Sequence, residues 1–429
     1  MHLRPALSLA LSGLSVALLL AAPASAQTAK ATAKLMTGKG FAAAEAKLSA
    51  DYDRIVADII TFTEIPAPPF GEAARARAFA EQLSKHGLSD VEIDAEGNAM
   101  GLRKGTGGGG LLVVAAHLDT VFPEGTDVRV RKDGNRLYAP GISDDSASLS
   151  VLLGFIRALD AAGIKTKGDI LFVGNVGEEG PGDLRGVKYL FNKGKYAGKI
   201  THFFSVEPGA DGRMVNGGTG SKRYEVTFRG PGGHSFGHFG MVSPAYAVGD
   251  AIMRLSQYDA PKTPKTTYSV GLISGGTSVN TIPASMSLTV DMRSNDAGEL
   301  GKLDAYFKAQ VDAAAEAENT RHSTTRGRIS AEMKLIGERP TGHTPENSPL
   351  AQITRTAYET AGQTVAFSSS STDSNLPMSL NIPALTIGSG FASEGAHSPT
   401  ENLTLDRERN LKVMGAGLAA IISAANIAK

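Results

Sequence analysis

The chain has no cysteine and no tryptophan, no excess of either charge, and no long apolar run after its first 26 residues. Without cysteine there can be no disulfide, thiolate zinc site, iron–sulfur cluster or cysteine nucleophile, so any metal must be held by His, Asp and Glu. The balance of 43 basic against 43 acidic residues provides no field to gather polyanions, which argues against nucleic acid as a partner. The lack of a later apolar stretch of ~20 residues argues against a membrane span. Glycine, by contrast, is abundant, at 50 of 429 residues, and its scatter predicts many tight loops. At roughly 150 residues per domain, this length predicts two or three domains.

Residues 1–26 read MHLRPALSLALSGLSVALLLAAPASA. Arg4, the apolar run through Leu18, Leu19 and Leu20, and the small residues Ala24-Ser25-Ala26 have the form of a secretory signal peptide cut after Ala26. A soluble protein, periplasmic or secreted, is the expectation. The polar, alanine- and lysine-rich stretch to about residue 40 reads as a mobile leader.

Helical periodicity runs through Leu48, Tyr52, Ile55, Ile59 and Ile60, and again around residues 70–86. Residues 111–116, 169–173, 203–206 and 384–387 are short apolar runs of the kind buried on both sheet faces. Helix patterns at 147–162, 347–360 and 406–427 alternate with them, which predicts a largely parallel sheet flanked by helices. Residues 128–138 read as a hairpin around Lys132-Asp133-Gly134-Asn135. Near Gly217 the style changes. Tyr224-Glu225-Val226-Thr227-Phe228 alternates as a half-solvated strand does. Helix patterns at 244–257 and 297–317 and strand patterns near 266–273, 286–292 and 328–336 then complete a βαββαβ unit. The expected organisation is therefore an α/β domain in two segments, 27–216 and 339–429, interrupted by an α+β unit over 217–338.

The chemistry-bearing residues gather where buried strands end. His117 and Asp119 close the first run, two apart and so on one side of a strand. Asp144-Asp145 precedes a helix pattern, Glu178-Glu179 and Glu207 lie just past two further runs, and His397 follows a fourth. Ligand sites in open α/β sheets sit at these carboxyl ends. Carboxylates crowded there repel one another unless a cation neutralises them. With only oxygen and imidazole donors available, two divalent metals bridged by one aspartate are the natural solution.

The stretches HLDTV, GISDDS, GEEG, VEPG and AHS, in this order, resemble the co-catalytic zinc exopeptidases, a family that includes carboxypeptidase G, tripeptide aminopeptidase, acetylornithine deacetylase and aminoacylase. The resemblance implies the zinc-exopeptidase fold with a ferredoxin-like dimerisation lid. It implies that His117 and Glu207 bind one metal, Glu179 and His397 the other, and that Asp144 bridges them. The ions would be two Zn2+, with Co2+ or Mn2+ as alternates. Glu178 is implied as the general base and Asp119 as the acceptor of the second imidazole N–H of His117. In the inserted unit, the likeness places His234 at a partner subunit's site, and gives Asn280 and Arg293 polar groups of the substrate, Arg293 a carboxylate. It implies a homodimer acting on small peptides or N-acyl amino acids. Peptidase leads over deacylase because HLDT and STDSN both match the tripeptide branch. Many relatives have Asp-Asp-Lys-Gly where this chain has Asp144-Asp145-Ser146-Ala147, which leaves the bridge but alters the neighbouring subsite.

Two motifs compete. Gly233-His234-Ser235-Phe236-Gly237 fits the G-x-S-x-G elbow of a serine hydrolase built on Ser235, but no buried strand precedes it and the helix pattern starts only near Ser243. Gly105-Thr106-Gly107-Gly108-Gly109-Gly110 fits G-x-G-x-x-G yet comes before a strand, which fails the dinucleotide context. A non-catalytic binding protein on the same scaffold has no reason to keep Glu178 beside five ligands.

Overall fold

The structure is a computed structural model describing residues 24–427. The leader expected over 1–26 lies outside the described residues apart from its last three. The mobile stretch expected to about residue 40 is corrected: Ala24–Met36 and Lys39–Ala50 are helices. Alanine is the best helix former, and its small side chain lets these helices pack closely. Thr32 is buried, Leu35 and Met36 lie against the main core, and Phe41, Ala44 and Leu48 form a buried stripe.

Among the described residues, nine strands make the main sheet. At its centre Leu111–His117 lies between Asp169–Asn175 and Ile200–Glu207, parallel to both, and Ala384–Gly388 continues the parallel set beside Ile200–Glu207. Every residue of Leu111–His117 is buried, because both faces are covered. Leu112, Val114 and Ala116 belong to one core with residues of helices Tyr52–Thr63, Ser148–Ala161 and Arg407–Ala424. Val113 and Ala115 face the opposite way, toward Val187, Leu190 and Phe191 of helix Arg185–Asn192. Antiparallel strands Ser89–Ile93 and Ala99–Arg103 close one edge. Gly212–Gly218, Gly342–His343 and Val365–Ser370 close the other. This is the mixed, largely parallel sheet expected.

A second sheet of four antiparallel strands runs Thr266–Gly275, Ser285–Ser294, Gly220–Arg229, Ser330–Arg339 in space. Numbered along the chain that order is 2-3-1-4, the ferredoxin-like arrangement. Helices Pro244–Leu255 and Ala297–Arg321 cover one face, with Val226, Phe228, Val290 and Met292 packed on Val248, Leu255, Leu303 and Phe307. Pro244 opens the first helix, and the Asp296 carboxylate caps the second by accepting from Glu299 N at 2.9 Å.

A third, small sheet contains the hairpin expected over 128–138 and adds two strands that the sequence did not reveal. Hairpin strands Arg131–Asp133 and Arg136–Tyr138 pair with Asn402–Thr404, which pairs with Ala392–Glu394. It ties the chain just before Asp144 to the segment that carries His397.

Candidate metal centre

The parallel strands deliver the site. His117 ends its strand, Glu207 ends the neighbouring one, and Glu178 and Glu179 follow Asp169–Asn175 by three and four residues. Asp144 sits in the irregular turn Ile142–Ala147 ahead of helix Ser148–Ala161, where its own φ and ψ (−114°, 87°) depart from helical values. His397 comes in from the loop between the two last strands of the small sheet, with a positive φ of 63°.

These groups converge. His117 Nε2 lies 2.8 Å from Asp144 Oδ1, and His397 Nε2 lies 3.2 Å from Asp144 Oδ2. One carboxylate therefore stands between two imidazoles. Glu207 Oε2 is 3.7 Å from His117 Nε2, and Glu179 Oε1 is 2.9 Å from His397 Nε2. Ligand atoms of His117, Asp144, Asp145 and Glu207 fall within 4.8 Å of one another, as do those of Asp144, Glu179 and His397. The two adjacent aspartates point in different directions. The Asp145 carboxylate is buried and turns back to accept His117 N at 3.0 Å, whereas Asp144 turns toward the cavity.

Asp119 differs in detail from the expectation. His117 Nδ1 donates to the main-chain carbonyl of Asp119 at 2.9 Å, with the carboxylate at 3.6 Å. The carboxylate instead accepts the main-chain N–H groups of Glu178 (3.1 Å) and Glu179 (2.8 Å). It thus fixes the turn that presents both glutamates.

Electrostatics follow from this crowding. Burial alone would depress His117, yet hydrogen bonds to Asp119 and Asp144 and the charges of Asp145 and Glu207 carry it well above the ordinary imidazole range. Contact with Asp144 and Glu179 raises His397 to about 10. Burial would raise Asp144, but the two histidines hold it well below the usual carboxylate range. Glu178 is pushed well up by burial, with Arg339 opposing and Glu179 adding, and Glu207 by burial with Asp145 adding. Each raised group is a proton held where a cation would bring charge of the same sign. Two imidazoles and three carboxylates fit a hard-to-borderline divalent metal.

A cavity of about 790 Å³ opens on this cluster. Arg293 lines it, together with Arg213, Arg223, Arg339 and the serine tract at 368–371. Arg293 uses Nε on Asp291 at 2.7 Å. His234 and Asn280 do not line it; they sit on the far end of the lid, near strands Gly233–His234 and Thr281–Ile282. There His234 Nδ1 accepts from Phe236 N and Gly237 N, both at 3.2 Å, which leaves the proton on Nε2 and makes that atom a donor.

Three supporting residues, Arg339, Arg75 and Glu401, escaped the sequence reading, and a fourth, Asp373, entered it only within STDSN and without a role. Arg339, buried where the chain leaves the lid, donates to Glu178 Oε1 and Ser371 Oγ and to the Glu178 carbonyl. Arg75, fully buried, donates to the Leu118 carbonyl at 2.9 Å and clasps Ile65 O. Asp373 accepts from Asn175 at 2.6 Å beneath the site, and burial raises it to about 6. Glu401 accepts from the Asp144 turn. Arg339, Arg75 and Glu401 carry no local pattern; each matters through contacts far along the chain. The serine-elbow reading is not realised, since Ser235 follows a two-residue strand of the lid and the next helix begins at Pro244. The loop at 105–110 is a connector pressed on Gly168, where a Cβ on Gly109 would meet Gly168 N at 2.3 Å.

The profile of Peptidase family M20/M25/M40 matches residues 113–424. Carboxypeptidase G2 of Pseudomonas sp. (strain RS-16) is 27% identical over 231 residues, 52% of this chain and 55% of that protein. Succinyl-diaminopimelate desuccinylase of Burkholderia cenocepacia (strain HI2424) is 28% identical over 255 residues, 54% of this chain and 64% of that protein. The match thus spans little more than half the length of these curated relatives. Aminopeptidase PepT from Bacillus cereus ATCC 10987 superimposes with a TM-score of 0.70 at 20% identity, covering 87% of this chain and 98% of that one.

Proposed function

The chain belongs to peptidase family M20/M25/M40, and from that premise we propose that it is a metal-dependent exopeptidase hydrolysing a terminal amide bond of small peptides. The observation that carries this reading is the convergence of His117 and His397 on opposite oxygens of the Asp144 carboxylate. Asp144, His117 and Glu207 on one side, and Asp144, Glu179 and His397 on the other, would hold two divalent cations, Zn2+ first and Co2+ or Mn2+ as alternates. Bound there, the cations supply Lewis acidity that polarises a carbonyl and acidifies water from 15.7 toward about 7.

The chain's own residues do the rest. Glu178, beside the metal-facing Glu179, takes the proton of the attacking water and passes it to the leaving amine. Asp119 holds the Glu178–Glu179 turn, and its carbonyl fixes the His117 tautomer. Arg293 lines the cavity and offers guanidinium N–H groups beyond the one on Asp291 to a substrate carboxylate. His234, with its donor at Nε2, and Asn280 serve the site of a partner subunit, which calls for a homodimer through the lid. Exposed Phe236, Phe239 and Val279 beside His234 favour such a covered surface. The limits 27–216, 217–338 and 339–429 for catalytic, lid and catalytic segments, and export to the periplasm or beyond by the leader at 1–26, belong to the same proposal.

A panel of di- and tripeptides and N-acyl amino acids, run with Glu178→Gln as the blank, tests it. Peptide cleavage lost in the variant supports the exopeptidase. The matched desuccinylase favours a second reading, an N-acyl-amino-acid deacylase with the same centre, which cleavage of acylated amino acids alone would establish.

A further inference from the structure

Glu401 lies four residues after His397 and is fully buried, whereas the His397 side chain is 54% exposed. Its Oε1 accepts from Ser143 N at 2.9 Å, Ser143 Oγ at 2.7 Å and Asp144 N at 3.0 Å; Oε2 accepts from Gly141 N at 3.0 Å. The main chain of Glu401 joins in, its carbonyl accepting from Ala139 N at 3.1 Å. These contacts all run to the segment that presents Asp144.

That segment needs such a partner. Asp144 and Asp145 leave helical geometry inside the turn, and Gly141 has a left-handed φ of 75°. The N–H groups of Gly141, Ser143 and Asp144 therefore find their acceptor in a side chain from another part of the fold. The loop around His397, for its part, is held by local bonds among Gly395, Ser398 and Thr400 and by the small sheet at its ends. Glu401 is the buried charge common to both.

We propose that Glu401 is a positioning residue that sets the separation of the Asp144 carboxylate from the His397 imidazole, and thereby the affinity of both metals together. The proposal rests on the dinuclear reading above. Asp144 is shared, so displacing it loosens both ions in step, an effect that loss of a ligand to one ion alone does not produce.

Calorimetric titration of metal-stripped wild type and Glu401→Gln with Zn2+ tests this, with thermal melting of both stripped proteins alongside. The amide would turn an N–H group toward N–H donors. Both zinc equivalents should bind the variant roughly 10- to 100-fold more weakly. Two equivalents bound at wild-type affinity, or one weakened alone, overturns the proposal. A wild type that takes up no zinc overturns the dinuclear reading itself, a distinguishable result. Should Glu401→Gln fail to fold, Ser143→Ala decides. It removes a single bond to Oε1, and it should weaken both equivalents without lowering the melting temperature of the stripped protein; unchanged affinity overturns the proposal.

Discussion

Side chains of the same type do different work here because of where their atoms point. Glu178 and Glu179 are neighbours, yet Glu179 meets His397 and Glu178 meets Arg339. Glu178→Gln should accordingly leave metal content at the wild-type level while lowering kcat by about 10²–10⁴-fold, the span general acid–base catalysis commands; metal analysis with initial rates checks both halves. Proton linkage gives a second prediction. His397 is raised to about 10 by Asp144 and Glu179, so near pH 7 its ring holds a proton that a metal must displace. Metal uptake should release protons, and affinity should rise with pH up to that value. Calorimetry in buffers of differing ionisation enthalpy measures the release. His117, Glu178, Glu179 and Glu207 were legible in the sequence because each ends or closely follows a buried run, whereas Asp144 and His397 stood out through a helix start, a late loop and the order of the motifs. Arg339, Arg75 and Glu401 were not, since an arginine or glutamate on a surface and one in a core look alike until the distant partner is known.

Among the elements, the long buried strands and the amphipathic helices were legible for the same reason: their apolar period is set by the surface they cover. The βαββαβ unit was readable from its change of period at Tyr224. Strands Gly212–Gly218 and Val365–Ser370 were not, being rich in glycine and serine, and the three-residue strands Ala392–Glu394 and Asn402–Thr404 of the small sheet are too short to show a period. In the lid, Phe307 is buried among Tyr224, Val226 and Leu303. Phe307→Ala should cost about 3–5 kcal/mol, read as a fall in the denaturant midpoint. On the other side of the molecule, Tyr52 donates to Asn410 Oδ1 at 2.6 Å and ties helix Tyr52–Thr63 to Arg407–Ala424. Burial lifts its phenol to about 12, Arg407 opposing and Asp406 and Asp53 adding. The folded pKa lies above the ordinary value near 10, so this contribution is intact below about pH 10 and fades as pH climbs toward 12. Thermal melting across that window should fall less steeply in Tyr52→Phe than in wild type.

At the scale of the whole molecule, the metal cluster belongs to the large sheet, while the lid reaches it through Arg223, Arg293 and Arg339. Arg339 Nη1 is 2.9 Å from Glu178 Oε1, so the proposed base is held partly by the last strand of the inserted unit, Ser330–Arg339. The far end of the lid carries Phe236 and Phe239, 90% and 89% exposed, and edge strand Thr266–Gly275 with exposed Leu272 and Ile273. Sedimentation should find a dimer, and His234→Ala should lower kcat without altering metal content; a monomer of full activity would remove His234 from the mechanism. The proposed chemistry depends on the centre around Asp144. The most direct test is to strip the metal, then follow amide hydrolysis as Zn2+ is returned in measured amounts. Activity should be absent in the stripped protein and climb to saturation at two ions per chain. Full turnover with no divalent metal present would contradict the account.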